Sequence, residues 1–218
     1  MRVIAIDGPA GAGKSTVAKR VSEATGLPYL DTGAMYRCVA YAIQKDKVDI
    51  NDAVAVGRIA HTVAINIEGT TATLNGEDVS SSIRSPEING IVSVIAAQTP
   101  VRDAMRQQQR QWIDTHGGGV VEGRDIGTVV FPNATLKIFL TASPIVRAER
   151  RVGQSGGDLE EVAAAIAQRD HIDTSREDSP LRPSPDAIAV DSSNKTIDDV
   201  VAEIVSLFDV VETSKNNG

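Results

Sequence analysis

Eight residues near the start of the chain have the types and spacing of a phosphate-binding loop. The stretch Gly8-Pro9-Ala10-Gly11-Ala12-Gly13-Lys14-Ser15 fits the pattern G-x-x-x-x-G-K-[ST] without a mismatch. Its glycines let successive backbone N–H groups turn inward toward an anion. The Lys14 ammonium can then reach the β- and γ-phosphates of a nucleotide, and the Ser15 hydroxyl can bind Mg²⁺, with Thr16 as a weaker candidate. The loop therefore predicts binding of a nucleoside triphosphate with its metal, but not what receives the phosphate.

The segments on either side of this loop predict the strand and the helix that hold it. Residues 2–7 are apolar and β-branched, which is typical of a buried strand. After the loop, Val17, Ala18 and Val21 recur at helical spacing until Gly26 supplies a stop. A strand, the loop and then a helix form the context in which this motif binds phosphate.

A second group of chemically capable residues follows another apolar run. Val120, Val121 and Glu122 predict a strand, and Arg124 and Asp125 come soon after it. Ligands of open α/β sheets bind at the carboxyl ends of the strands. The position therefore favours a functional role for Arg124 and Asp125.

Two further sets of arginines are placed where they could meet an anion. Arg37 lies on the first turns of a predicted helix, where the helix dipole disfavours a cation. Position alone supports an anionic ligand and a solvated surface equally. Arg102, Arg106 and Arg110 recur at spacing four along one face of another predicted helix, either as a solvated stripe or with one ligand contact among them.

An arginine-rich stretch in the last third of the chain is unusual in an acidic protein. Ser143-Pro144 and the cap sequence at Asp158 each predict a helix, and a glycine-rich turn at residues 153–157 joins the two. Such a pair suits a lid that closes over phosphates, because planar guanidinium groups hold spread negative charge. The alternative is a set of surface ion pairs. The arginines concerned are Arg147, Arg150, Arg151, Arg169 and Arg176, and the acidic residues that could pair with them are Glu149, Glu160 and Asp170.

Strands and helices alternate along most of the chain, which predicts an α/β fold around a parallel sheet of about five strands. Residues 64–79 differ, because they alternate at period two around Asn75-Gly76, a pair typical of hairpins. We expect them to form a small antiparallel sheet inserted at one edge. A helix is predicted over residues 52–62 with Asn51 as its N-cap, and the last helix should give way to a frayed tail beyond Val211.

Composition excludes several classes of partner. The 218 residues suffice for one α/β domain with insertions, and a formal charge of −7 with a pI near 5.0 argues against general affinity for nucleic acid or acidic membranes. Cys38 is the single cysteine, so no disulfide can form within the chain, and no apolar run is long enough to span a membrane. His61, His116 and His171 lack the spacing of a zinc site. We expect a cytoplasmic monomer that binds neither nucleic acid nor membranes.

Several classes of protein share the phosphate loop. A guanine-nucleotide switch needs N-K-x-D, but Ile197 stands at the place of the aspartate after Asn194-Lys195. The match to D-x-x-G at residues 114–117 falls at the end of a predicted helix, and no apolar strand ends in the aspartate that a motor ATPase needs. A small-molecule kinase needs a donor loop, an arginine-rich acceptor pocket and a lid, all of which the sequence predicts.

Three stretches together resemble the bacterial cytidylate kinase family. They are the phosphate loop, Leu30-Asp31-Thr32-Gly33-Ala34-Met35-Tyr36-Arg37, and Gly123-Arg124-Asp125-Ile126-Gly127-Thr128-Val129-Val130-Phe131-Pro132. The similarity extends over nearly the whole chain, including the small-sheet insertion. It implies transfer of the γ-phosphoryl group of ATP to CMP or dCMP with the help of Mg²⁺, in a P-loop three-layer fold. A kinase of another small acceptor and, with less support, a nucleotide-binding switch are the alternatives.

The resemblance also implies roles for individual residues. Ser93, Arg102 and Asp125 would read cytosine, whose amino donor and ring-nitrogen acceptor complement a carboxylate and a guanidinium. Uracil would place a carbonyl oxygen opposite the Asp125 carboxylate, so that two hydrogen-bond acceptors face each other. UMP should therefore be a poorer phosphoryl acceptor than CMP. Arg37 and Arg124 would bind the acceptor phosphate.

The implied sets of residues are as follows. The catalytic residues are Lys14, Arg124, Arg147, Arg151 and Arg176. The donor is bound by Gly8, Pro9, Ala10, Gly11, Ala12, Gly13, Lys14, Ser15, Thr16 and Arg150, with Ser15 also the metal ligand. The acceptor is bound by Thr32, Arg37, Ser93, Arg102, Arg124, Asp125, Arg169, Asp173 and Arg176, with Asp173 at the sugar.

The same resemblance divides the single chain into a core, a monophosphate-binding insertion and a helical lid. The core covers approximately residues 1–59, 100–143 and 177–211, the insertion 60–99 and the lid 144–176, and residues 212–218 would form a flexible tail.

Overall fold

The computed structural model, which describes residues 2–216, has eight strands and eight α-helices within those bounds. The strands are β1 (Arg2–Asp7), β2 (Tyr29–Asp31), β3 (Ile65–Glu68), β4 (Thr71–Leu74), β5 (Glu77–Asp78), β6 (Gly118–Gly123), β7 (Leu136–Thr141) and β8 (Ile188–Asp191). The helices are α1 (Lys14–Thr25), α2 (Thr32–Lys45), α3 (Ala53–Thr62), α4 (Pro86–Ala96), α5 (Thr99–His116), α6 (Pro144–Ser155), α7 (Leu159–Ser175) and α8 (Ile197–Asn216). Short helical turns cover Ser82–Arg84 and Ile126–Val130.

Five parallel strands form the central sheet, in the order β2-β6-β1-β7-β8. Alternate residues of β1 face opposite layers: Val3 and Ala5 pack into the cluster that contains α2 and α5, whereas Ile4 and Ile6 pack against α1 and α8. Burying each valine or isoleucine side chain contributes about 1.5–3 kcal/mol, so packing on both faces, through Val3 on one and through Ile4 and Ile6 on the other, holds the central strand in place. The prediction of a five-stranded parallel sheet with helices on both sides is confirmed.

The small antiparallel sheet is also present, in the order β3-β4-β5. Its second turn consists of Asn75 and Gly76, whose φ angles are 52° and 84°. Both values lie in the left-handed region that a two-residue hairpin turn requires, which explains why an Asn-Gly pair stands there. The sheet packs against α2 at the edge of the molecule away from β8.

Two helix ends differ from the predictions. Helix α3 begins at Ala53, and its N-cap is Asp52 rather than Asn51. The Asn51 amide instead donates to Asp49 Oδ1 at 3.0 Å, which removes it from the cap. The last helix, α8, continues to Asn216 instead of ending at residue 211.

The extra length of α8 has a visible contact. Glu212 lies 2.6 Å from Arg2 Nε at the start of β1, and Arg2 also lies over the ring of Phe208. The expected flexible tail is therefore helical over residues 212–216, and residues 217 and 218 lie outside the described part of the chain.

The parallel arrangement places the carboxyl ends of the five strands at one edge of the sheet. Asp7, Asp31 and Glu122 are the last or next-to-last residues of β1, β2 and β6, so three acidic residues lie along this edge. Among residues 2–216, no helix has the length and apolar character that crossing a membrane requires.

Candidate active site

The carboxyl end of β1 leads into the predicted phosphate loop, which turns tightly into α1. Gly8 approaches the Leu140 carbonyl so closely that a Cβ at this position would lie 2.0 Å from the oxygen. Gly13 is the N-cap of α1 and has a φ of 88°, in the left-handed region that favours glycine. The loop is thus built as its sequence pattern predicts, with the positive end of the α1 dipole at the active edge of the sheet.

Lys14 is almost enclosed within this loop. Its exposed fraction is 6%, and Nζ donates a hydrogen bond of 2.7 Å to the Pro9 carbonyl. Burial, followed by the charge of Arg124, lowers the pKa of Lys14. A bound phosphate would oppose this shift, because an anion stabilises the charged ammonium.

An acidic wall beside Ser15 contains residues to which the sequence assigned no role. Tyr29 on β2 donates a hydrogen bond of 2.5 Å to Oε1 of Glu122. Burial, followed by the charge of Asp31, raises the pKa of Glu122, while the adjacent Ser15 hydroxyl acts in the opposite direction. The only signal for Glu122 in the sequence is its position near the end of an apolar strand. An aspartate was expected at such a position, so this glutamate was missed.

Helices α6 and α7, the predicted lid, contact the phosphate loop directly. Arg147 on α6 donates to the Ala10 carbonyl at 2.9 Å and forms an ion pair with Asp170 on α7. Asp170 in turn accepts a hydrogen bond of 3.0 Å from the Ala10 N–H. Arg150 instead donates to Oγ and to the carbonyl oxygen of Ser192, at 2.9 and 2.7 Å. Arg147 thus forms one of the ion pairs that the sequence offered as an alternative to a phosphate-binding lid, whereas Arg150 forms none of them among the described residues.

A buried ion pair joins α5 to the loop after β6. Arg102 is 1% exposed; its Nη2 lies 2.6 Å from Asp125 Oδ2, and its Nη1 donates to the Ala96 carbonyl at 3.0 Å. Cζ of Arg102 lies 5.6 Å from the centre of the Tyr36 ring, and the Tyr36 hydroxyl is buried with no hydrogen-bond partner in the described part of the chain. Among the three arginines on this face of α5, Arg102, Arg106 and Arg110, Arg102 is therefore the buried one, and polar groups surround it.

Asp7 holds the loop that carries Asp125. Its two carboxylate oxygens accept hydrogen bonds from the N–H groups of Ile126 and Gly127, at 2.8 and 2.7 Å. Asp7 also immediately precedes the phosphate loop. One carboxylate therefore ties the predicted donor side to the predicted acceptor side, a link between distant segments that the sequence did not reveal.

Four arginines meet beside the phosphate loop with too few carboxylates to neutralise them. Arg124 Nε donates to Asp173 at 2.8 Å, whereas Nε of Arg169 is buried and has no hydrogen-bond partner among residues 2–216. Burial and the charge of Arg124 lower the pKa of Arg169 to about 10, and the charges of Arg37 and Arg151 act in the same direction. Such a cluster can bind a phosphate, because an anion satisfies the free donors and relieves the repulsion.

The remaining predicted residues lie at the margins of these contacts. The Thr32 hydroxyl donates to the Glu122 carbonyl at 2.6 Å, which fixes the start of α2 to β6. Ser93 lies on α4, three residues before Ala96, and makes no hydrogen bond to the Arg102–Asp125 pair in this part of the chain. Thr16 is exposed on the first turn of α1.

Arg176 and Arg37 are each held by a backbone carbonyl. Arg176 Nε donates to the carbonyl of Ser179 at 2.6 Å, and its Nη2 lies 3.6 Å from Asp125 Oδ1. Arg37 Nη1 donates to the Ile83 carbonyl at 3.0 Å. Both guanidinium groups therefore have a fixed direction before any ligand binds.

Known sequences match this chain along almost its full length. The family model described as cytidylate kinase matches residues 4–210. The chain belongs to the cytidylate kinase family. The match includes the phosphate loop, the small sheet and helices α6 and α7, so the cytidylate kinase resemblance noted in the sequence is confirmed.

Two relatives show how the cytidylate kinase sequence occurs elsewhere. The cytidylate kinase of Listeria welshimeri is 45% identical over 212 residues, which are 94% of each chain. A bifunctional pantoate ligase/cytidylate kinase of Prochlorococcus marinus strain MIT 9313 is 47% identical over 219 residues, which are 95% of this chain and 43% of that protein. The chain thus spans less than half the length of the bifunctional relatives that it matches.

Solved structures share the fold of this cytidylate kinase family member at low sequence identity. An uncharacterized protein from Eubacterium ventriosum has a TM-score of 0.58 at 13% identity, with 96% of this chain and 99% of that chain covered. At such identity the likeness concerns the fold alone.

Asp7 should make the folded protein lose stability as the pH rises from about 4 to 6. Burial raises the pKa of Asp7 to about 6, against a value of 3.8 without that environment. Between these values the folded state binds more protons than the unfolded state, so raising the pH through the window costs on the order of 2 kcal/mol. Urea unfolding of the wild type and Asp7→Asn at about pH 4.5 and 7.5 measures this difference. The stability of the wild type relative to the variant should fall at the higher pH, and an equal change in both proteins would contradict the assignment.

Proposed function

We propose that the chain transfers the γ-phosphoryl group of ATP to CMP or dCMP, with release of ADP. The surroundings of Lys14 carry this proposal: apart from burial, the charges that shift its pKa include those of Arg124, Arg169 and Asp173. The donor lysine and the acceptor-side groups therefore lie close enough for their charges to interact, which supports transfer between two bound substrates. Membership of the cytidylate kinase family supports the choice of acceptor.

On the donor side, the loop at residues 8–15 would hold the phosphates of ATP, with Thr16 at its end. Lys14 would contact the β- and γ-phosphates, while Arg147, Arg150 and Arg151 would approach the nucleotide from α6. Arg147 must then exchange its contacts with Ala10 and Asp170 for contacts with the donor.

Magnesium would be held by the Ser15 hydroxyl, with the Glu122 carboxylate beside it. Oxygen donors of this kind are the ones that Mg²⁺ prefers, and the effect of Ser15 on Glu122 shows that the two groups are neighbours. The residues present therefore fit the ion. When bound, Mg²⁺ supplies positive charge to the β- and γ-phosphates.

On the acceptor side, Arg102 and Asp125 would read the base. The Asp125 carboxylate can accept a hydrogen bond from the exocyclic amino group of cytosine, and Arg102 can donate to the acceptors on the ring. Uracil presents a carbonyl oxygen to Asp125, and two opposed acceptors in a buried site are strongly unfavourable. Ser93 would also contact the base, but only after its surroundings change, because it now makes no hydrogen bond to the Arg102–Asp125 pair among the described residues.

The acceptor phosphate would bind among Arg37, Arg124, Arg169 and Arg176, with Asp173 at the sugar and Thr32 at the start of α2. An anionic oxygen of that phosphate attacks the γ-phosphorus, and the bond from this phosphorus to the β–γ bridging oxygen breaks, leaving its electron pair on ADP. The attacking oxygen carries no proton at neutral pH, so the reaction requires no protein base. The arginines and Lys14 align the two substrates and neutralise their charges.

Closure of the lid would accompany the reaction. Residues 144–176 would act as the lid that excludes water, and residues 60–99 as the monophosphate-binding domain, with the core formed by the rest. Arg151 and Arg176 would complete the charge around the transferred group when the lid closes. The protein would act as a monomer.

Acceptor preference tests this proposal directly. We expect ADP to form rapidly from ATP and Mg²⁺ with CMP or dCMP, and much more slowly with UMP, AMP, GMP or shikimate. A coupled assay of ADP release over this panel measures each kcat/KM. Preference for an acceptor without cytosine would exclude the proposed function, and tight GTP binding without turnover would indicate a nucleotide switch.

A further inference from the structure

We infer that Asp178 is a positioning residue for Arg102, and so a determinant of the preference for cytosine over uracil. The inference rests on the proposed function, because it takes Arg102 to be a base-reading group. Asp178 lies three residues after the end of α7, in the segment that returns from the predicted lid to the core. It belongs to neither the donor loop nor the set of acceptor residues implied by the sequence.

Asp178 faces the side of Arg102 that no other group satisfies. Nη1 and Nη2 of Arg102 are bound by the Ala96 carbonyl and by Asp125. Its Nε is buried without a hydrogen-bond partner in the described structure, and the nearest carboxylate oxygen, Asp178 Oδ1, lies 3.7 Å away. Asp178 therefore provides the second negative charge beside an almost fully buried guanidinium.

Asp178 is itself held firmly in one direction. Arg106 donates to both of its oxygens, at 2.7 and 3.2 Å, and the Ser179 hydroxyl donates to Oδ1 at 2.6 Å. The bonds from Arg106, together with that from Ser179, hold the pKa of Asp178 at about 2, so it remains a carboxylate at any working pH. A carboxylate fixed in this way can orient the neighbouring Arg102.

The contacts close into a ring that includes the base-reading pair. Arg176 Nε donates to the Ser179 carbonyl at 2.6 Å, and Arg176 Nη2 lies 3.6 Å from Asp125 Oδ1. Asp125 Oδ2 in turn binds Arg102 at 2.6 Å. Ser179 has a φ of 53°, a left-handed conformation that is unfavourable for serine and that these surrounding bonds maintain. The return segment is therefore built against the base site and does not simply pass by it.

The balance of charge explains what Asp178 would do for recognition. Without it, Arg102 would lose its second carboxylate and would share with Arg176 the remaining one, Asp125, which must stay available for the cytosine amino group. Arg102 would turn further toward Asp125, and the acceptor oxygen would be less available to the base. Loss of Asp178 should thus weaken cytosine binding without disturbing the donor loop, from which no contact reaches it among the described residues.

Asp178→Asn, with Asp103→Asn as its matched control, tests the inference. Both carboxylates bind Arg106, at 2.7 and 2.6 Å, but only Asp178 also reaches Arg102. We expect Asp178→Asn to raise KM for CMP about tenfold and to reduce the CMP/UMP ratio of kcat/KM, with KM for ATP within about twofold of the wild type. Asp103→Asn should leave all three quantities within about twofold.

Two outcomes would overturn the inference. One is an equal rise in KM for CMP and ATP with an unchanged CMP/UMP ratio, which indicates that Asp178 only stabilises the fold. The other is the same effect in both variants. If the asparagine variant does not fold, Asp178→Glu serves in its place, because it keeps the negative charge and should retain most of the CMP/UMP ratio. A folded Asp178→Ala protein with the CMP/UMP ratio of the wild type would contradict the positioning role. Wild-type turnover with CMP separately tests the proposed function, so the two failures are distinguishable.

Discussion

Replacing Asp125 by alanine should lower kcat/KM for CMP by about 10³-fold while leaving the affinity for ATP within about twofold. The change removes the acceptor for the cytosine amino group. It also removes the carboxylate that lies 2.6 Å from the buried Arg102 guanidinium and leaves only Asp178, at 3.7 Å, and the loss of one partner of a buried ion pair costs about 3–5 kcal/mol. Steady-state kinetics with varied CMP, together with direct titration of ATP, separates the two substrates.

The amide at the same position provides the sharper comparison. Asp125→Asn keeps the size of the side chain and adds N–H donors, which can face the uracil carbonyl. We expect the preference to move from CMP toward UMP in this variant. Asp173→Asn is the matched control, because Asp173 pairs with Arg124 at 2.8 Å on the phosphate side, where the base is not read. It should lower the rates with CMP and UMP by a similar factor, and an Asp125→Asn enzyme with unchanged preference would remove Asp125 from base recognition.

Local sequence patterns predicted the parts of this fold whose cause is local. The phosphate loop follows from its glycines, the strands from period and apolarity, and the small hairpin from Asn75-Gly76, which adopts the left-handed angles that its residue types favour. The predicted site roles have a different basis, since they depend on the family resemblance. The structure brings many of those residues together, but their roles stay predictions until they are tested.

Long-range partners are what the sequence could not reveal. Spacing placed Arg102, Arg106 and Arg110 on one helical face, but only the folded chain distinguishes them: Arg102 is enclosed, and Arg110 donates to backbone carbonyls at the surface. The contact of Asp7 with the loop after β6 and that of Asp170 with the phosphate loop were missed for the same reason. Asp7 binds N–H groups about 120 residues away and Asp170 binds one 160 residues away, and no periodicity records such pairing.

Replacing Arg169 by methionine should stabilise the protein and inactivate it at the same time. Nε of Arg169 is buried without a partner among the described residues, and the charge of Arg124 repels the guanidinium. Removing such a group recovers about 1 kcal/mol, which corresponds to a rise in Tm of about 3 °C for a chain of this size. Loss of a charge-stabilising donor should lower kcat/KM for CMP by about 10²-fold or more. Differential scanning calorimetry without ligands and steady-state kinetics measure the two effects.

Arg147→Met is the matched control, because Arg147 is also an arginine of the predicted lid with a buried Nε that lacks a partner among the described residues, but its Nη1 is bound to Ala10 and Asp170. Its removal leaves Asp170 without its ion-pair partner, so Tm should fall instead of rise. Replacement of Arg147, an arginine with a structural role, should thus lower Tm, whereas replacement of Arg169, an arginine that would bind the acceptor phosphate, should raise it. This difference in sign does not depend on how either variant changes the rate. If Arg169→Met lowers Tm as Arg147→Met does, Arg169 has a partner that holds the fold together. Saturating CMP should, moreover, raise Tm of the wild type by more than that of Arg169→Met, because the phosphate then satisfies the donor that the variant lacks.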